Sequence, residues 1–148
     1  MAVTITLTGD KKLDRLFSSL PKKVQGKVIR PALREAAKII SAKAKTNAPV
    51  DTGLLRESLR VRAGKRTRKN VIRVLVQTEA GFYKGKTFYG AFQEFGHRQG
   101  SRKLGNARQM IEGKHYIKRA YDSTANRAKA AAQQLIINGI VREAVAGG

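Results

Sequence analysis

Cysteine and tryptophan are absent from this chain, and it has only three prolines and two histidines. Without cysteine, neither disulfide bonds nor thiolate metal sites can form. No apolar run approaches the length that spans a bilayer. The first eight residues alternate threonine with apolar side chains, which is unlike a signal peptide. We therefore expect a soluble protein that is made in the cytosol and does not enter a membrane.

Acidic residues are also scarce, because ten Asp and Glu stand against 31 Lys and Arg. The formal net charge of +21 implies an anionic partner, and three kinds fit: nucleic acid, an acidic protein surface or an anionic membrane. The chain has 148 residues, of which 41% are apolar. This length and composition predict one domain, residues 1–148, with a real hydrophobic core.

The positive charge is concentrated in two stretches. Residues 56–73 hold eight Lys or Arg and residues 96–119 hold seven, each with a single Glu. Such stretches bind phosphate through counterion release. Because few aromatic residues lie nearby, any contact would be to the nucleic-acid backbone and independent of sequence. The candidate contacts for DNA or an acidic partner are Lys65, Arg66, Arg68, Lys69, Arg98, Arg102, Lys103 and Arg108.

In the N-terminal third, the apolar spacing predicts one strand and two helices. Residues 3–8 alternate as in a half-buried strand, and an amphipathic helix follows, with Leu13, Leu16, Phe17 and Leu20 on one face. A second, much longer helix is predicted over residues 22–45, with Pro31 causing a kink or a restart. Its apolar stripe comprises Val24, Val28, Ala32, Ala36 and Ile40, widened by Ile29, Leu33 and Ile39.

The rest of the chain mixes strands and helices. Strands are predicted over residues 55–62 and 71–78, joined by a basic hairpin loop at 63–70. A short helix over 88–95 would turn Tyr89, Phe92 and Phe95 to the core, and the glycine-rich stretch 96–114 is predicted to be irregular. A C-terminal helix over 116–137 would end at Asn138-Gly139. Its buried side would hold Ile117, Tyr121, Ala128, Ala132, Leu135 and Ile136.

The segment between the long helix and the first of these strands reads as a structural joint. Pro49 cannot continue a helix, since it has no N–H to donate. Asp51, Thr52 and Gly53 are turn residues, and Gly53 is free to take a positive φ. Leu54, Leu55 and Leu59 would then return the chain to the interior. Helix, tight turn and strand form an architectural unit without a catalytic constellation.

Three features could carry chemistry, and each is better explained structurally. Residues 80–87 resemble a phosphate-binding loop, but Ala80 occupies the first glycine position and no βαβ units surround it. His97 and His115 lack acidic or cysteine partners at metal-ligand spacing. Glu94, between two phenylalanines, is expected to pair with an Arg of a strand or of a neighbouring subunit rather than to catalyse a reaction. We therefore predict no catalytic residue, no metal and no cofactor.

Two blocks in this order resemble a known family. They are Ala48-Pro49-Val50-Asp51-Thr52-Gly53-Leu54-Leu55-Arg56-Glu57-Ser58-Leu59, after a long basic helix, and Tyr89-Gly90-Ala91-Phe92-Gln93-Glu94-Phe95-Gly96, before a variable loop and a last helix. The chain is similar to the small head–tail joining proteins of tailed bacteriophages, also called neck, tail-completion or tail-component proteins. One departure is at the start of the last helix, where His115-Tyr116-Ile117 stands in place of the family's Pro-aromatic-Leu pattern.

The resemblance implies an α+β fold, with an antiparallel β-sheet packed against a long kinked α-helix, a C-terminal helix and long basic loops. It also implies a non-enzymatic virion protein of the neck or tail, assembled in the host cytoplasm as a six-fold ring that meets neck and tail-tube proteins and packaged DNA. Pro49, Asp51, Thr52, Gly53, Leu54, Tyr89, Glu94 and Gly96 would be its structural joint. The alternatives are a sequence-independent nucleic-acid-binding protein and, more remotely, a nucleotide-hydrolysing enzyme.

Overall fold

The computed structural model describes residues 22–50, 53–64, 72–79, 87–99 and 109–146. These ranges form an α+β fold that is mostly helical, as predicted. In chain order the elements are α1 (Lys22–Asn47), α2 (Leu54–Ser58), β1 (Leu59–Ala63), β2 (Val74–Thr78), α3 (Gly90–Phe95), β3 (His97–Gln99), β4 (Gln109–Ile111) and α4 (Tyr116–Ala146). The strand and helix predicted before residue 21 lie outside the described residues.

The two long helices α1 and α4 pack side by side in opposite directions. Asn47, at the end of α1, contacts Tyr116, at the start of α4, while Lys27 and Val28 lie beside Glu143 and Gly139. Small side chains at the interface let the two backbones approach closely, and the larger ones fill the space between. The main core comprises Ala36, Ile40, Ala44, Ala48, Leu55, Leu59, Ala91, Tyr116, Ile117, Ala120, Ala128 and Ala132.

A two-stranded antiparallel sheet covers the other side of α1. Strands β1 and β2 pair from Leu59 opposite Thr78 to Ala63 opposite Val74. The alternation of β2 turns Val74 and Val76 onto Ala37 of α1, with Leu33 and Val61 at the edge of this cluster. The sheet therefore packs against the long helix, as the resemblance implies. A second hairpin, β3 with β4, pairs His97 with Ile111 and Gln99 with Gln109.

Two boundaries differ from the sequence prediction. Residues 55–58 belong to helix α2 rather than to a strand, because Leu55 and Ser58 face the core at helical spacing and the Ser58 hydroxyl donates to the Leu55 carbonyl at 2.9 Å. Helix α4 also continues through Asn138-Gly139 to Ala146. Gly139 does not end it because this glycine serves packing: a Cβ there would lie 2.6 Å from Cγ1 of Val28.

Two further expectations are corrected, and a third is narrowed. The stretch 96–114 is not irregular throughout, since its two ends pair as β3 and β4. Of the kink or restart predicted at Pro31, the restart is excluded, because α1 continues through this residue. Leu135, predicted on the buried side of α4, is 39% exposed, whereas Ile117, Ala128, Ala132 and Ile136 are buried as predicted. Within the described ranges, no helix is both long and apolar enough to cross a bilayer.

Candidate functional site

Glu94 connects α3 to the beginning of α4. Its side chain is buried, with 1% exposed, and its carboxylate accepts hydrogen bonds from the backbone N–H groups of Ile117 at 2.8 Å and Lys118 at 3.0 Å. The first N–H groups of a helix have no partner inside the helix, and the positive end of the helix dipole favours an anion there. Glu94 therefore caps α4 from a different helix.

The start of α4 needs such a partner because it lacks a cap of its own. His115 precedes the helix with a φ of 46°, in the left-handed region that non-glycine residues rarely adopt, and no acidic residue lies in the first turn. Serine, threonine, aspartate and asparagine are the usual caps. At this helix, no neighbouring residue in the sequence supplies the cap, and the carboxylate comes from Glu94 instead.

Backbone and side-chain contacts close around this cap. Tyr116 is fully buried, and its hydroxyl donates to the Gly90 carbonyl at 3.5 Å. Lys114 N–H donates to the Gln93 carbonyl at 2.6 Å, and the Asn47 amide donates to the Tyr116 carbonyl at 3.4 Å. Burial raises the pKa of the Tyr116 hydroxyl above its usual value, and the nearby Glu94 and Tyr89 raise it further. The hydroxyl therefore stays protonated and neutral.

The hairpin β3–β4 is joined to this region through two glycines. Gly96 has a φ of 79°, which suits glycine, and a Cβ at this position would overlap the Ile111 carbonyl oxygen. A Cβ on Gly113 would overlap the Glu94 carbonyl oxygen. Because both overlaps are with backbone atoms, side-chain movement cannot relieve them. The close approach holds the two ends of the hairpin against the end of α3.

Next to the hairpin is a group of side chains that we call the aromatic patch, in which Phe88, Phe92 and Ile111 are exposed and His97 is half-buried. Phe88 is 51% exposed and Phe92 38%, and their ring centroids are 6.0 Å apart in an edge-to-face arrangement. The Phe92 and His97 rings lie 5.2 Å apart, and Ile111 is paired with His97 across the hairpin. The sequence prediction that Phe92 faces the core is wrong, whereas Tyr89 and Phe95 do pack against it.

The joint after α1 is also held by polar contacts. Gly53 precedes α2 with a φ of 78°, the positive value that turn chemistry predicts. The Arg56 side chain donates from Nε to the Lys45 carbonyl at 2.9 Å, which satisfies a carbonyl in the last turn of α1. Pro49 is half-buried, and Leu55 and Leu59 enter the core. Leu54 does not, since it is exposed together with Val50.

The chain matches a known protein family. The family described as "Bacteriophage HK97-gp10, putative tail-component" matches residues 11–96, more than half of the chain. This chain belongs to the HK97-gp10-like family of phage tail components. No curated protein and no solved structure matches it.

The family match ends within the candidate site, so that one part of the site lies inside the matched range and the other part follows it. The part common to these tail components includes α1, the joint, the β1–β2 sheet and α3 with Glu94, and it ends at Gly96. The β3–β4 hairpin and α4 follow the matched range. Glu94 therefore lies within the family's own domain, while both N–H groups that it binds belong to the helix after it.

Of the two partners predicted for Glu94, the strand arginine is wrong. Within the described residues, the Glu94 carboxylate bonds to backbone N–H groups instead. Pairing with an arginine of a neighbouring subunit stays a prediction. Of the candidate partner contacts, Arg98 is exposed beside the aromatic patch. The other predicted residues lie outside the described ranges: Asp51, Thr52, Lys65, Arg66, Arg68, Lys69, Arg102, Lys103 and Arg108, with the glycine loop at 80–86.

Sequence reasoning missed three residues that hold this site together: Asn47, Arg56 and Tyr116. A signal for the cap was present, because the last helix is preceded by His115 rather than by a capping residue, and Glu94 is an isolated acid in a basic region. In the described part of the chain, no group of three or more His, Asp or Glu could hold a metal. With both carboxylate oxygens bonded to N–H groups, Glu94 is arranged to hold two helices rather than to transfer protons.

Proposed function

We propose that this tail component is a structural, non-enzymatic protein of the virion neck. Copies form a ring, which the resemblance implies to be six-fold, and the ring joins or completes the tail at the head–tail junction. Membership of the phage tail-component family supports the structural role. The ring would then contact neighbouring neck and tail-tube proteins.

The observation that carries the proposal is the aromatic patch on a rigid support. Contiguous exposed aromatic side chains are typical of protein–protein contacts, where phenylalanine is enriched and charged residues are depleted. Here Phe88 lies just before α3 and Phe92 lies within it, and the Glu94 cap, the Tyr116 hydroxyl and the Gly96–Gly113 approach hold this helix in place. A contact surface fixed in this way loses little conformational entropy on binding.

The net charge of +21 sets a condition on assembly. Copies of a strongly basic chain repel one another at low ionic strength, and salt weakens this repulsion. An apolar contact between copies is not screened in this way. We therefore expect the ring to form more readily at high salt, or when an anionic neighbour neutralises part of the charge.

Light scattering after size exclusion tests the proposal directly. The protein would be compared at roughly 0.15 M and 1 M salt, alone and with its neck and tail-tube neighbours. The double variant Phe88→Ser, Phe92→Ser is expected to shift the population from ring to monomer. Leu135→Ser is the matched control, because Leu135 is as exposed as Phe92 but lies away from the patch on α4.

Two results would contradict the ring. One is a wild-type protein that stays monomeric at high salt and in the presence of its neighbours. The other is a patch variant that assembles as well as the control. In either case the aromatic patch would not be the surface on which copies meet.

The large positive charge keeps a second candidate open, a sequence-independent nucleic-acid-binding protein. Duplex DNA titrated at several salt concentrations distinguishes the two. A neck protein should bind weakly near physiological salt. Tight binding with a steep salt slope, reduced when Lys65, Arg66, Arg68 and Lys69 are changed together to alanine, would favour the second candidate.

ATP turnover that is lost in Lys86→Ala would instead indicate an enzyme.

A further inference from the structure

The β1–β2 sheet has one face on α1 and one face turned away from it. Successive residues of a strand point to opposite faces, and Val74 and Val76 point to Ala37 of α1. In the register of the two strands, Arg60 is opposite Gln77 and Arg62 is opposite Leu75. The positions that point away from α1 are therefore Arg60, Arg62, Gly64, Arg73, Leu75 and Gln77. We call the three arginines among them, Arg60, Arg62 and Arg73, the arginine face.

Arg73 is fixed on this face by its contact with Gly64. The Gly64 N–H donates to the Arg73 carbonyl at 2.8 Å, which continues the strand pairing beyond Ala63. A Cβ built on Gly64 would lie 2.7 Å from Cβ of Arg73 and 3.5 Å from Cγ of Leu75. The side chain of Arg73 therefore leaves the backbone on the outer face, in space that a larger residue at position 64 would occupy.

The arginine face has little acidic compensation. The Arg60 guanidinium is 3.8 Å from the Glu79 carboxylate, and both groups are exposed, so this pair contributes little. Arg60 is also held in place by a hydrogen bond to the backbone carbonyl of Glu57. Neither Arg62 nor Arg73 forms an ion pair with another described residue. Like charges on neighbouring strands repel one another, and a bound anion would relieve this repulsion.

The chemistry of the face favours phosphate groups over an acidic protein. Protein–protein interfaces have an apolar centre that is rich in aromatic residues, whereas interfaces with DNA are more polar and more positively charged. None of the outward positions is aromatic, and the one large apolar side chain, Leu75, is half-buried. An arginine guanidinium also donates two parallel hydrogen bonds to a phosphate. The aromatic patch, on α3 and the β3–β4 hairpin, has the opposite character.

We propose that the arginine face contacts the phosphate backbone of duplex DNA, with one phosphate at each arginine and no dependence on base sequence. The strands that carry it are backed by α1 and are well separated in the chain from the aromatic patch. The inference goes beyond the proposed ring, because each copy carries the whole face itself. A single chain and an assembled ring would therefore present the same contact.

The salt dependence of DNA binding tests the proposal. Fluorescence anisotropy of a labelled duplex of about 20 base pairs, roughly two helical turns, would be recorded with the full-length protein between roughly 0.05 and 0.3 M salt. The sheet triple variant is Arg60→Gln, Arg62→Gln, Arg73→Gln. The matched control, the α4 triple variant, is Arg119→Gln, Arg127→Gln, Arg142→Gln. It removes the same number of arginines, all from exposed positions of α4.

The expected result is a shallower salt dependence in the sheet triple variant. Each lost phosphate contact reduces the slope of log K against log salt by about 0.9, so the slope should fall by about 2.7. The α4 triple variant should lose less than about 1. Equal losses in the two variants would overturn the proposal, because the net charge rather than the face would then govern binding. An unchanged slope in the sheet triple variant would also overturn it.

A charge-preserving variant separates lost contacts from lost folding. The variant Arg60→Lys, Arg62→Lys, Arg73→Lys keeps the three positive charges, and it should retain most of the wild-type slope. Circular dichroism of both sheet variants should show the wild-type helix content. If the lysine variant lost as much of the slope as the glutamine variant, phosphate contact would not be the role of these residues.

Two further results would assign the binding elsewhere and overturn the proposal. One is wild-type protein that binds polyglutamate more tightly than the duplex at the same salt concentration, with only the polyglutamate binding lost in the sheet triple variant. The face would then belong to an acidic protein partner. The other is DNA binding that is lost only when Lys65, Arg66, Arg68 and Lys69 are changed. Failure of the ring in light scattering would leave the anisotropy result intact, so the two proposals fail separately.

Discussion

The two ends of α4 are built in opposite ways. At its start, Tyr116 and Ile117 are fully buried, and Glu94 and Asn47 bond to the backbone. Over its last turns the helix contacts α1 along one face, and Ile137, Val141 and Val145 on another face are exposed. The first end is fixed by polar contacts from two different elements, α1 and α3, whereas the second has apolar contact with α1 alone among the described residues.

This difference shows how a helix without its own cap is held in place. The start of α4 depends on a carboxylate twenty-three residues away along the chain, so the helix and α3 must be fixed together. The far end depends only on helix–helix packing and tolerates an exposed face. Substitutions at the first end should therefore cost more stability than equivalent ones at the second.

The largest effect is expected for Glu94→Ala. The change leaves two buried N–H groups at the start of α4 without their carboxylate, and we expect the free energy of unfolding to fall by about 3–4 kcal/mol. Urea denaturation followed by circular dichroism measures it. Glu57→Ala, an exposed acid on α2, is the control and should cost less than about 0.5 kcal/mol. Similar losses in the two variants would show that the cap contributes nothing specific.

Next in size is a pair of isoleucines on the same helix, one near each end. Ile117→Ala removes a fully buried side chain and should lower the free energy of unfolding by about 3 kcal/mol. Ile136 is slightly exposed and has fewer residues packed around it, so Ile136→Ala should lower it by about 2 kcal/mol. The two free energies of unfolding are obtained from urea denaturation curves fitted with the same dependence on urea concentration. If Ile136→Ala were less stable than Ile117→Ala, the far end of α4 would contribute more to stability than its start.

A smaller, pH-dependent effect is expected at Tyr116. Burial raises the pKa of its hydroxyl above the unfolded value of about 10, so the folded chain keeps a proton that the unfolded chain releases. Its contribution to stability is fully present below about pH 10 and falls as the pH rises further. Tyr116→Phe should cost about 0.5–1 kcal/mol at neutral pH, since the hydrogen bond to Gly90 is long.

Comparison of the two proteins isolates this titration from the many lysines that deprotonate in the same range. Melting temperatures recorded between about pH 8 and 11 should fall more steeply for the wild type than for Tyr116→Phe. Parallel curves would mean that the Tyr116 hydroxyl ionises equally in both states.

The smallest effect is expected for Leu135→Ala. This leucine is 39% exposed on α4, and alanine is the better helix former. We expect a change within about 0.5 kcal/mol of zero in urea denaturation. A loss comparable to that of Ile136→Ala would indicate that another surface covers Leu135.

The periodicity of apolar residues predicted burial correctly where one face of a helix packs against the core. Val28, Ala32, Ala36 and Ile40 are buried as their spacing predicts. It failed at Gly139, where a glycine that looks like a helix stop instead makes room for Val28. It also failed at Phe92, because hydrophobic character by itself does not distinguish a core residue from an exposed contact residue.

The sequence by itself determined the long helix α1 and the positive φ of Gly53, because these follow from local spacing and turn chemistry. Its two motif blocks also carried the family resemblance, which implied the α+β class. Only the tertiary structure decided what Glu94 does, where the aromatic patch lies and how far α4 extends. The physical reason is that a cap supplied by another helix, a close approach of two backbones and the exposure of a side chain each depend on residues distant in the chain. Local pattern cannot specify which of those residues will meet.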